Sequence, residues 1–369
     1  MRNPRDRIVI ITLFLIILFL FFATVIFSES SLSLSAKSAV LYEPVTDSFL
    51  YSKNADARLP MASTTKIMTA LVALENSSCD DIVEIADEAI GVEGSSLYLK
   101  KGEVMTMKDL LCALMLRSAN DAALAIAYEI SGGISEFSNL MNQKAADLGL
   151  KNTHFENPHG LDSDEHYTTA KELAIIASEA LKNNTFKEIV STKKTTITNS
   201  DGEERLVANH NKLLNLYDGA IGVKTGFTKK CGRCLVGAAE RDGLTFITVT
   251  INAPDDWNDH KKLFDYGYSR LKSLKLATPG EFSYTLPVVN SDKNNIKISN
   301  KNPLSIIVSD TDTIPDYKVI LPKYVCAPLS AGDTVGKVVF TLDGKNVGEV
   351  ELILEEDAGT IRKKGIFRL

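Results

Sequence analysis

The chain has 369 residues, which is enough for a sizeable core and for two domains of ~100 to 200 residues each. Hydrophobic residues make up 44% of it, as in an ordinary globular protein. The formal net charge of −6 argues against a protein that binds nucleic acid through a basic surface.

Residues 1–36 are predicted to be an N-terminal signal or anchor segment. Three arginines within the first seven residues precede an uncharged apolar run, Ile8–Phe27. As a helix this run would span ~30 Å, whereas the apolar part of a cleaved signal peptide usually has ~7 to 15 residues. The length favours an uncleaved membrane anchor, although the small residues in Ser28–Ser33 leave cleavage open. In both cases the rest of the chain is predicted to be exported and to lie outside the cytoplasm, at the cell membrane or cell wall.

Helices and strands are both predicted between residues 37 and 273. Alternating apolar residues with turn signals indicate strands, and apolar residues at helical spacing indicate helices. The predicted strands are Ala39–Tyr42, Phe49–Tyr51, two polar strands within Thr192–Val207, and three antiparallel neighbours at Ile221–Lys224, Cys234–Glu240 and Leu244–Asn252. The predicted helices are one that begins near Ser63, one over Leu110–Ile130 behind a capping box at Thr106–Asp109, and one over Ala170–Leu181.

Residues 274–369 are predicted to form a separate, small all-β domain. Alternating runs at Val338–Thr341 and Val347–Leu354 flank Asp343-Gly344, which is a strong signal for a two-residue hairpin loop.

Three short patterns carry the predicted chemistry: Ser63-Thr-Thr-Lys66, Ser118-Ala-Asn120 and Lys224-Thr-Gly226. The first is not specific by itself, because S-x-x-K also occurs at Ser191/Lys194 and Ser269/Lys272. K-T-G occurs once. The combination of all three therefore indicates a site more strongly than any one of them.

Ser63 and Lys66 are separated by one helical turn, so their side chains lie on one face within hydrogen-bonding reach. They also begin a helix with an apolar face, which would hold them rigidly against a core. A serine becomes nucleophilic when a neutral base removes its proton, and a lysine is neutral only if burial and nearby cations lower its pKa. Lys224 is the predicted second cation.

The other two patterns supply polar groups to the same predicted cleft. Ser118 and Asn120 interrupt an apolar run, where polar side chains are costly unless they line a cavity. Gly226 follows a strand and lets a ligand approach the main chain. Thr225 and Lys224 offer a hydroxyl group and a positive charge, which suit a carboxylate.

The longer strings around these patterns, Leu59–Ala70, Leu116–Ala123 and Asp218–Thr228, resemble the serine-type D-alanyl-D-alanine carboxypeptidases. These are the low-molecular-mass penicillin-binding proteins of peptidase family S11. The resemblance runs from about Ser38 to the C-terminus. It implies an α+β fold, with a serine β-lactamase/D,D-peptidase-like catalytic domain over residues 37–273 and the β domain behind it.

The resemblance also implies an acyl-transfer mechanism. Ser63 would attack the carbonyl carbon between two D-alanines and become acylated, while Lys66 takes its proton. Ser118 would relay a proton to the leaving amine, and the backbone N–H groups of Ser63 and Phe227 would form the oxyanion hole. Water would then release the acyl group, whereas a β-lactam antibiotic would remain attached to the serine.

The same resemblance assigns substrate contacts. Asn120 would hydrogen-bond the peptidoglycan stem peptide, and Lys224, Thr225 and Gly226 would hold its terminal carboxylate. Three features depart from the family: Ala119 replaces a frequent glycine, the segment Asp255–His260 lacks an arginine that some relatives place near the carboxylate, and the chain ends without the usual amphipathic membrane-binding helix. The last departure favours the N-terminal segment as the contact with the membrane.

Other functions share parts of this pattern. A D,D-endopeptidase would use the same site, and a serine β-lactamase has all three motifs but a single domain. A non-enzymatic wall-binding protein would give Ser63 no chemical role. The pair Cys231/Cys234 resembles a redox C-x-x-C but enters a strand pattern, which favours structural cysteines. The five histidines show no metal-ligand spacing, so no metal and no cofactor are predicted.

Overall fold

A computed structural model of the chain describes residues 32–309 and 314–361. The apolar run Ile8–Phe27, on which the anchor prediction depends, and most of the C-terminal segment 360–369 lie outside these residues. Within these residues, the chain has no helix with the length and apolar character needed to cross a bilayer.

The helices and strands alternate through the first two thirds of the chain, and strands alone follow. The helices are α1 (Lys66–Asn76), α2 (Met107–Cys112), α3 (Asn120–Ser131), α4 (Ile134–Asp147), α5 (Ala170–Leu181), α6 (Asn184–Ser191), α7 (Leu213–Leu216) and α8 (Asp256–Arg270). The strands are β1 (Ser38–Glu43), β2 (Ser48–Lys53), β3 (Ile82–Glu84), β4 (Val104–Thr106), β5 (Lys194–Thr198), β6 (Glu204–Ala208), β7 (Ala220–Thr228), β8 (Gly232–Arg241), β9 (Leu244–Ile251), β10 (Lys272–Ala277), β11 (Ser283–Val289), β12 (Asn295–Ser299), β13 (Leu304–Val308), β14 (Asp316–Ile320), β15 (Val325–Cys326), β16 (Thr334–Leu342) and β17 (Lys345–Leu354).

A five-stranded sheet in the order β2-β1-β9-β8-β7 organises the catalytic part. All its pairs are antiparallel, which confirms the predicted neighbours. Both faces of the sheet are buried, and the consecutive residues Val40 and Leu41 of β1 belong to two different apolar clusters. One cluster contains the apolar faces of α1, α3 and α5, and the other contains Leu263 and Phe264 of α8. The predicted α+β class is therefore confirmed, and β7 lies at an open edge of the sheet.

Several local predictions are confirmed. The hairpin β1–β2 and the polar pair β5–β6 form as expected, and α5 spans the predicted helix Ala170–Leu181. The Thr106 side chain accepts a hydrogen bond from the backbone N–H of Asp109 at the start of α2. These signals are local in sequence, so they do not depend on the tertiary fold.

The continuous helix predicted over Leu110–Ile130 is wrong. Helix α2 ends at Cys112, a π-helical turn covers Ala113–Arg117, and α3 begins at Asn120. Ser118 lies between them with φ of 63°, in the left-handed region. Apolar residues continue through the break, so periodicity alone does not reveal it.

The C-terminal part forms its own β structure. A six-stranded sheet in the order β14-β16-β17-β12-β11-β15 encloses a separate apolar cluster, and β10 pairs with β13. Strands β16 and β17 form the hairpin expected around Asp343-Gly344. The predicted boundary between residues 273 and 274 falls inside β10, and its position stays a prediction.

Candidate active site

Ser63 and Lys66 begin the first helix of the catalytic part. Ser63 lies in a 3-10 turn, Ala62–Thr65, and Lys66 is the first residue of α1. The Lys66 Nζ lies 3.1 Å from the Ser63 Oγ, within hydrogen-bonding distance. The turn places the hydroxyl group within reach of the amine, as the i, i+3 spacing predicts.

Lys66 is fully buried and is held by two further acceptors. Its Nζ donates to Asn120 Oδ1 at 2.6 Å and to the backbone oxygen of His159 at 2.5 Å. Burial, and then the charge of Lys224, lower the pKa of Lys66 well below its usual value, against an opposite effect of Asp121. The neutral amine is the form that can take a proton, so these surroundings suit Lys66 to act as a base.

Lys224 contributes to this electrostatic environment from beneath the cleft. Its side chain is 1% exposed, and its Nζ donates to the backbone oxygen of Thr225 at 2.9 Å. Burial lowers the pKa of Lys224 to about 7. The predicted influence of Lys224 on Lys66 is present, although burial is the larger cause. The predicted contact of Lys224 with a substrate carboxylate stays a prediction.

Ser118 and Asn120 reach the site because the chain breaks between α2 and α3. Ser118 lines the cleft together with Ser63. Besides accepting from Lys66, Asn120 donates through Nδ2 to the backbone oxygen of Glu93 at 2.6 Å. The buried carboxylate of Asp121 accepts hydrogen bonds from the backbone N–H groups of Leu97 and Leu99. These contacts fix the break against the loop before β4.

Gly226 allows strand β7 to approach the nucleophile. A Cβ atom at this position would lie 3.1 Å from the backbone nitrogen of Ser63 and 3.2 Å from the oxygen of Met61. The edge strand therefore passes beside the amide that the predicted oxyanion hole requires. The contribution of the Phe227 N–H group to that hole stays a prediction.

The site opens into a cleft of about 560 Å³. Ser63, Ser118 and the stretch Thr225–Phe227 line it. The remaining lining residues were not predicted as part of the site, and they come from loops, from β8 and from the start of α8. They are Ser95, Asn209, His210, Lys212, Arg233, Asp256 and Trp257.

A loop before α5 supports the nucleophile from the other side, a contact that no local sequence pattern predicts. Gly160 has φ of 88°, and a Cβ atom there would lie 2.0 Å from the backbone oxygen of Ala62. Thr65 Oγ1 donates to the same oxygen and lies 2.8 Å from His166 Nε2. Because His166 Nδ1 accepts from a backbone N–H group, its proton is on Nε2 and is donated to Thr65. Burial lowers the pKa of His166 to about 4, which keeps the ring neutral.

The two cysteines of the C-x-x-C pattern are buried next to the site, Cys231 in the turn before β8 and Cys234 on β8. Cys231 and Cys234 have their Sγ atoms 2.9 Å apart. The hydrogen bond with Cys234, followed by burial, raises the pKa of Cys231, whereas a redox-active thiol needs a lowered one. This environment supports the structural interpretation.

Comparisons with known proteins identify both parts of the chain. Residues 25–255 match the family model of D-alanyl-D-alanine carboxypeptidase, and residues 261–360 match the C-terminal domain of penicillin-binding protein 5. The carboxypeptidase DacF of Bacillus subtilis is 33% identical over 89% of this chain and 87% of its own length. DacC of Escherichia coli is 29% identical over 95% of this chain and 91% of its own length.

Solved structures agree with these matches. Penicillin-binding protein 5 from Haemophilus influenzae superimposes with a TM-score of 0.63 at 29% identity, covering 89% of this chain and 98% of that structure. The Streptomyces K15 DD-transpeptidase superimposes with a TM-score of 0.61 at 36% identity, over 64% of this chain and 98% of its own. The chain therefore belongs to the S11 family of serine-type D-alanyl-D-alanine carboxypeptidases, and it carries the C-terminal domain of penicillin-binding protein 5.

Proposed function

We propose that the chain removes the terminal D-alanine from the pentapeptide stem of peptidoglycan through an acyl-enzyme on Ser63. The observation that carries this proposal is the contact of 3.1 Å between Ser63 Oγ and the amine of a fully buried lysine, Lys66. A buried lysine with a lowered pKa supplies the neutral base that a serine nucleophile needs.

In the acylation step, Lys66 takes the hydroxyl proton while Ser63 Oγ bonds to the carbonyl carbon between the two D-alanines. The oxyanion that forms is stabilised by the backbone N–H groups of Ser63 and Phe227. The C–N bond then breaks: Ser118 gives its hydroxyl proton to the leaving amine of D-alanine and takes the proton of Lys66 in exchange, so that Lys66 is neutral again. An ester on Ser63 remains.

In the second step, a water molecule attacks this ester and gives its proton to Lys66. The ester bond breaks, Ser63 recovers its proton, and the shortened peptide leaves with a new carboxylate. Thr225 lines the cleft, where its hydroxyl group can hydrogen-bond the terminal carboxylate of the peptide. Asn120 is buried and its side chain contacts Lys66 and the backbone oxygen of Glu93, so its contact with the peptide main chain stays a prediction. A β-lactam would follow the same first step and leave a stable acyl group on Ser63.

The release of D-alanine from a synthetic pentapeptide that ends in D-Ala-D-Ala tests this proposal. We expect the wild-type protein to release D-alanine and Ser63→Ala to lose release by a factor of about 10³ or more, because the variant lacks the hydroxyl group that forms the acyl-enzyme. Ser191→Ala, which removes the serine of another S-x-x-K pattern, is the matched control and should retain the wild-type rate. Unchanged release by Ser63→Ala would overturn the proposal.

We also propose that residues 1–36 export the chain and keep it at the outer face of the membrane. The length of the apolar run Ile8–Phe27 and the three arginines before it support this assignment. After expression in a bacterial host, the full-length protein should stay with membranes washed in alkaline carbonate, and protease added outside the cells should digest it. Recovery of a protein that begins near Ser31 from the medium would instead indicate a cleaved signal peptide.

A further inference from the structure

We propose that Arg233 binds the free terminal carboxylate of the substrate and thereby makes the enzyme select peptides that end in a free D-alanine. This inference rests on the proposed function and adds a residue to it. Arg233 lies outside the three sequence motifs, on strand β8 next to the K-T-G strand.

The pairing of β7 with β8 places Arg233 beside Thr225. Thr225 is opposite Leu235 and Phe227 is opposite Arg233, so Thr225 and Arg233 are diagonal neighbours on one face of the sheet. Such neighbours have Cα atoms ~7 to 8 Å apart, within reach of a long side chain. Both residues line the cleft that contains Ser63.

The start of α8 holds the Arg233 side chain in a fixed direction. Its Nη2 donates to Asp256 Oδ1 at 2.9 Å, and its guanidinium carbon lies 5.6 Å from the centre of the Trp257 ring. The side chain remains 43% exposed. Among residues 32–309 and 314–361, the guanidinium has no other hydrogen-bond partner, so its remaining N–H groups are available to a ligand in the cleft.

The other basic groups around the cleft fit a carboxylate less well. Lys66 and Lys224 are fully buried, and the Lys224 Nζ already donates to a backbone oxygen. Burial, and then nearby cations, lower the pKa of His210, which favours its neutral form. Lys212 is exposed, and a flexible ammonium group loses more freedom on binding than an oriented guanidinium. Arg233 thus offers a guanidinium group that is already oriented.

This arrangement also accounts for a departure from the family. The segment Asp255–His260 has no arginine, but its residues Asp256 and Trp257 hold one that comes from β8. A planar guanidinium can form two parallel hydrogen bonds with the terminal carboxylate of a peptide. A peptide whose C-terminus is an amide has no negative charge at that position.

Two pentapeptides with the same sequence test the proposal, one ending in D-Ala-D-Ala with a free carboxylate and one ending in the C-terminal amide. Wild type should cleave the acid with the higher kcat/KM. In Arg233→Gln we expect kcat/KM for the acid to fall about 10- to 100-fold, as for the loss of a hydrogen bond to a charged group, while the value for the amide stays the same. The preference for the acid would disappear. Arg233→Lys keeps the positive charge and should retain part of the preference for the acid.

Arg241→Gln is the matched control, because Arg241 lies at the other end of β8, stacks on Tyr217 and donates to the Asp218 backbone oxygen. It should leave both rates unchanged. An unaltered acid-to-amide preference in Arg233→Gln, or its loss in Lys212→Gln, would overturn the proposal. Failure of the proposed function is distinguishable, because Ser63→Ala would then still cleave the acid substrate.

Discussion

Replacing Lys66 by methionine is expected to slow acylation and D-alanine release about 10²- to 10⁴-fold, the usual contribution of general acid–base catalysis. Lys66 is the base closest to the nucleophile, with its Nζ 3.1 Å from Ser63 Oγ. Methionine fills a similar volume but cannot accept a proton. The rate of acylation by a β-lactam, together with the steady-state release of D-alanine, measures the effect.

Two further variants separate the chemical role of Lys66 from a structural one. Lys66→Arg keeps a positive charge that does not dissociate at working pH, so we expect it to be as inactive as Lys66→Met. Lys194→Met alters the exposed lysine of another S-x-x-K pattern and should have wild-type activity. Substantial activity in Lys66→Arg would show that the serine does not depend on a neutral lysine.

The lowered pKa of Lys66 also predicts a pH dependence of stability. An unfolded lysine has a pKa of 10.5, whereas burial and Lys224 lower it in the folded protein. Between the two values the unfolded chain binds a proton that the folded chain does not, so the free energy of unfolding rises with pH. Lys66→Met removes this contribution. The difference in unfolding free energy between the variant and wild type should therefore change across this pH range.

Gly160→Ala is expected to damage the site without touching any of the three motifs. The added Cβ would lie 2.0 Å from the Ala62 backbone oxygen and 2.9 Å from Thr65 Oγ1, at a φ of 88° that alanine rarely adopts. The loop and the nucleophile turn must then separate, which also displaces the His159 oxygen from Lys66. We expect activity to fall about 100-fold, the cost of a misplacement of roughly 1 Å in a catalytic site.

Gly132→Ala is the control for the backbone conformation alone. Gly132 ends α3 with φ of 77°, and a Cβ there would contact nothing within 4 Å. This variant should lose about 1 to 2 kcal/mol of stability, the cost of a left-handed alanine, and retain wild-type kcat/KM. If Gly160→Ala also retained it, the support of Ala62 by this loop would not matter for catalysis. Thermal unfolding and D-alanine release provide both readouts.

The sequence predicts the parts of the site that depend on short-range patterns. The spacing of Ser63 and Lys66 and the strand around Thr225 are local features, and the structure brings them into one cleft. Helix α5 and the hairpins follow for the same reason, because their periodicity and turn residues lie within one segment.

The missed features depend on contacts between distant segments. The break at Ser118 is stabilised by Asp121, whose carboxylate binds the backbone of a loop more than twenty residues earlier. Gly160 supports the nucleophile turn across a much longer gap in sequence, since its contacts are with Ala62 and Thr65. Arg233 enters the cleft because β8 pairs with β7 and α8 folds back onto it. Neither periodicity nor a short motif in a single sequence predicts contacts between such distant segments.

Mapping the covalent adduct of a β-lactam tests the central claim most directly. The full-length protein is incubated with benzylpenicillin and digested with trypsin, which cleaves after Arg58 and Lys66. Fragmentation of the peptide 59–66 should place an adduct with the mass of the antibiotic on Ser63. In Lys66→Met, where the corresponding tryptic peptide is 59–100, the adduct should form far more slowly. An adduct on another serine, or none in wild type, would contradict the assignment of Ser63 as the nucleophile.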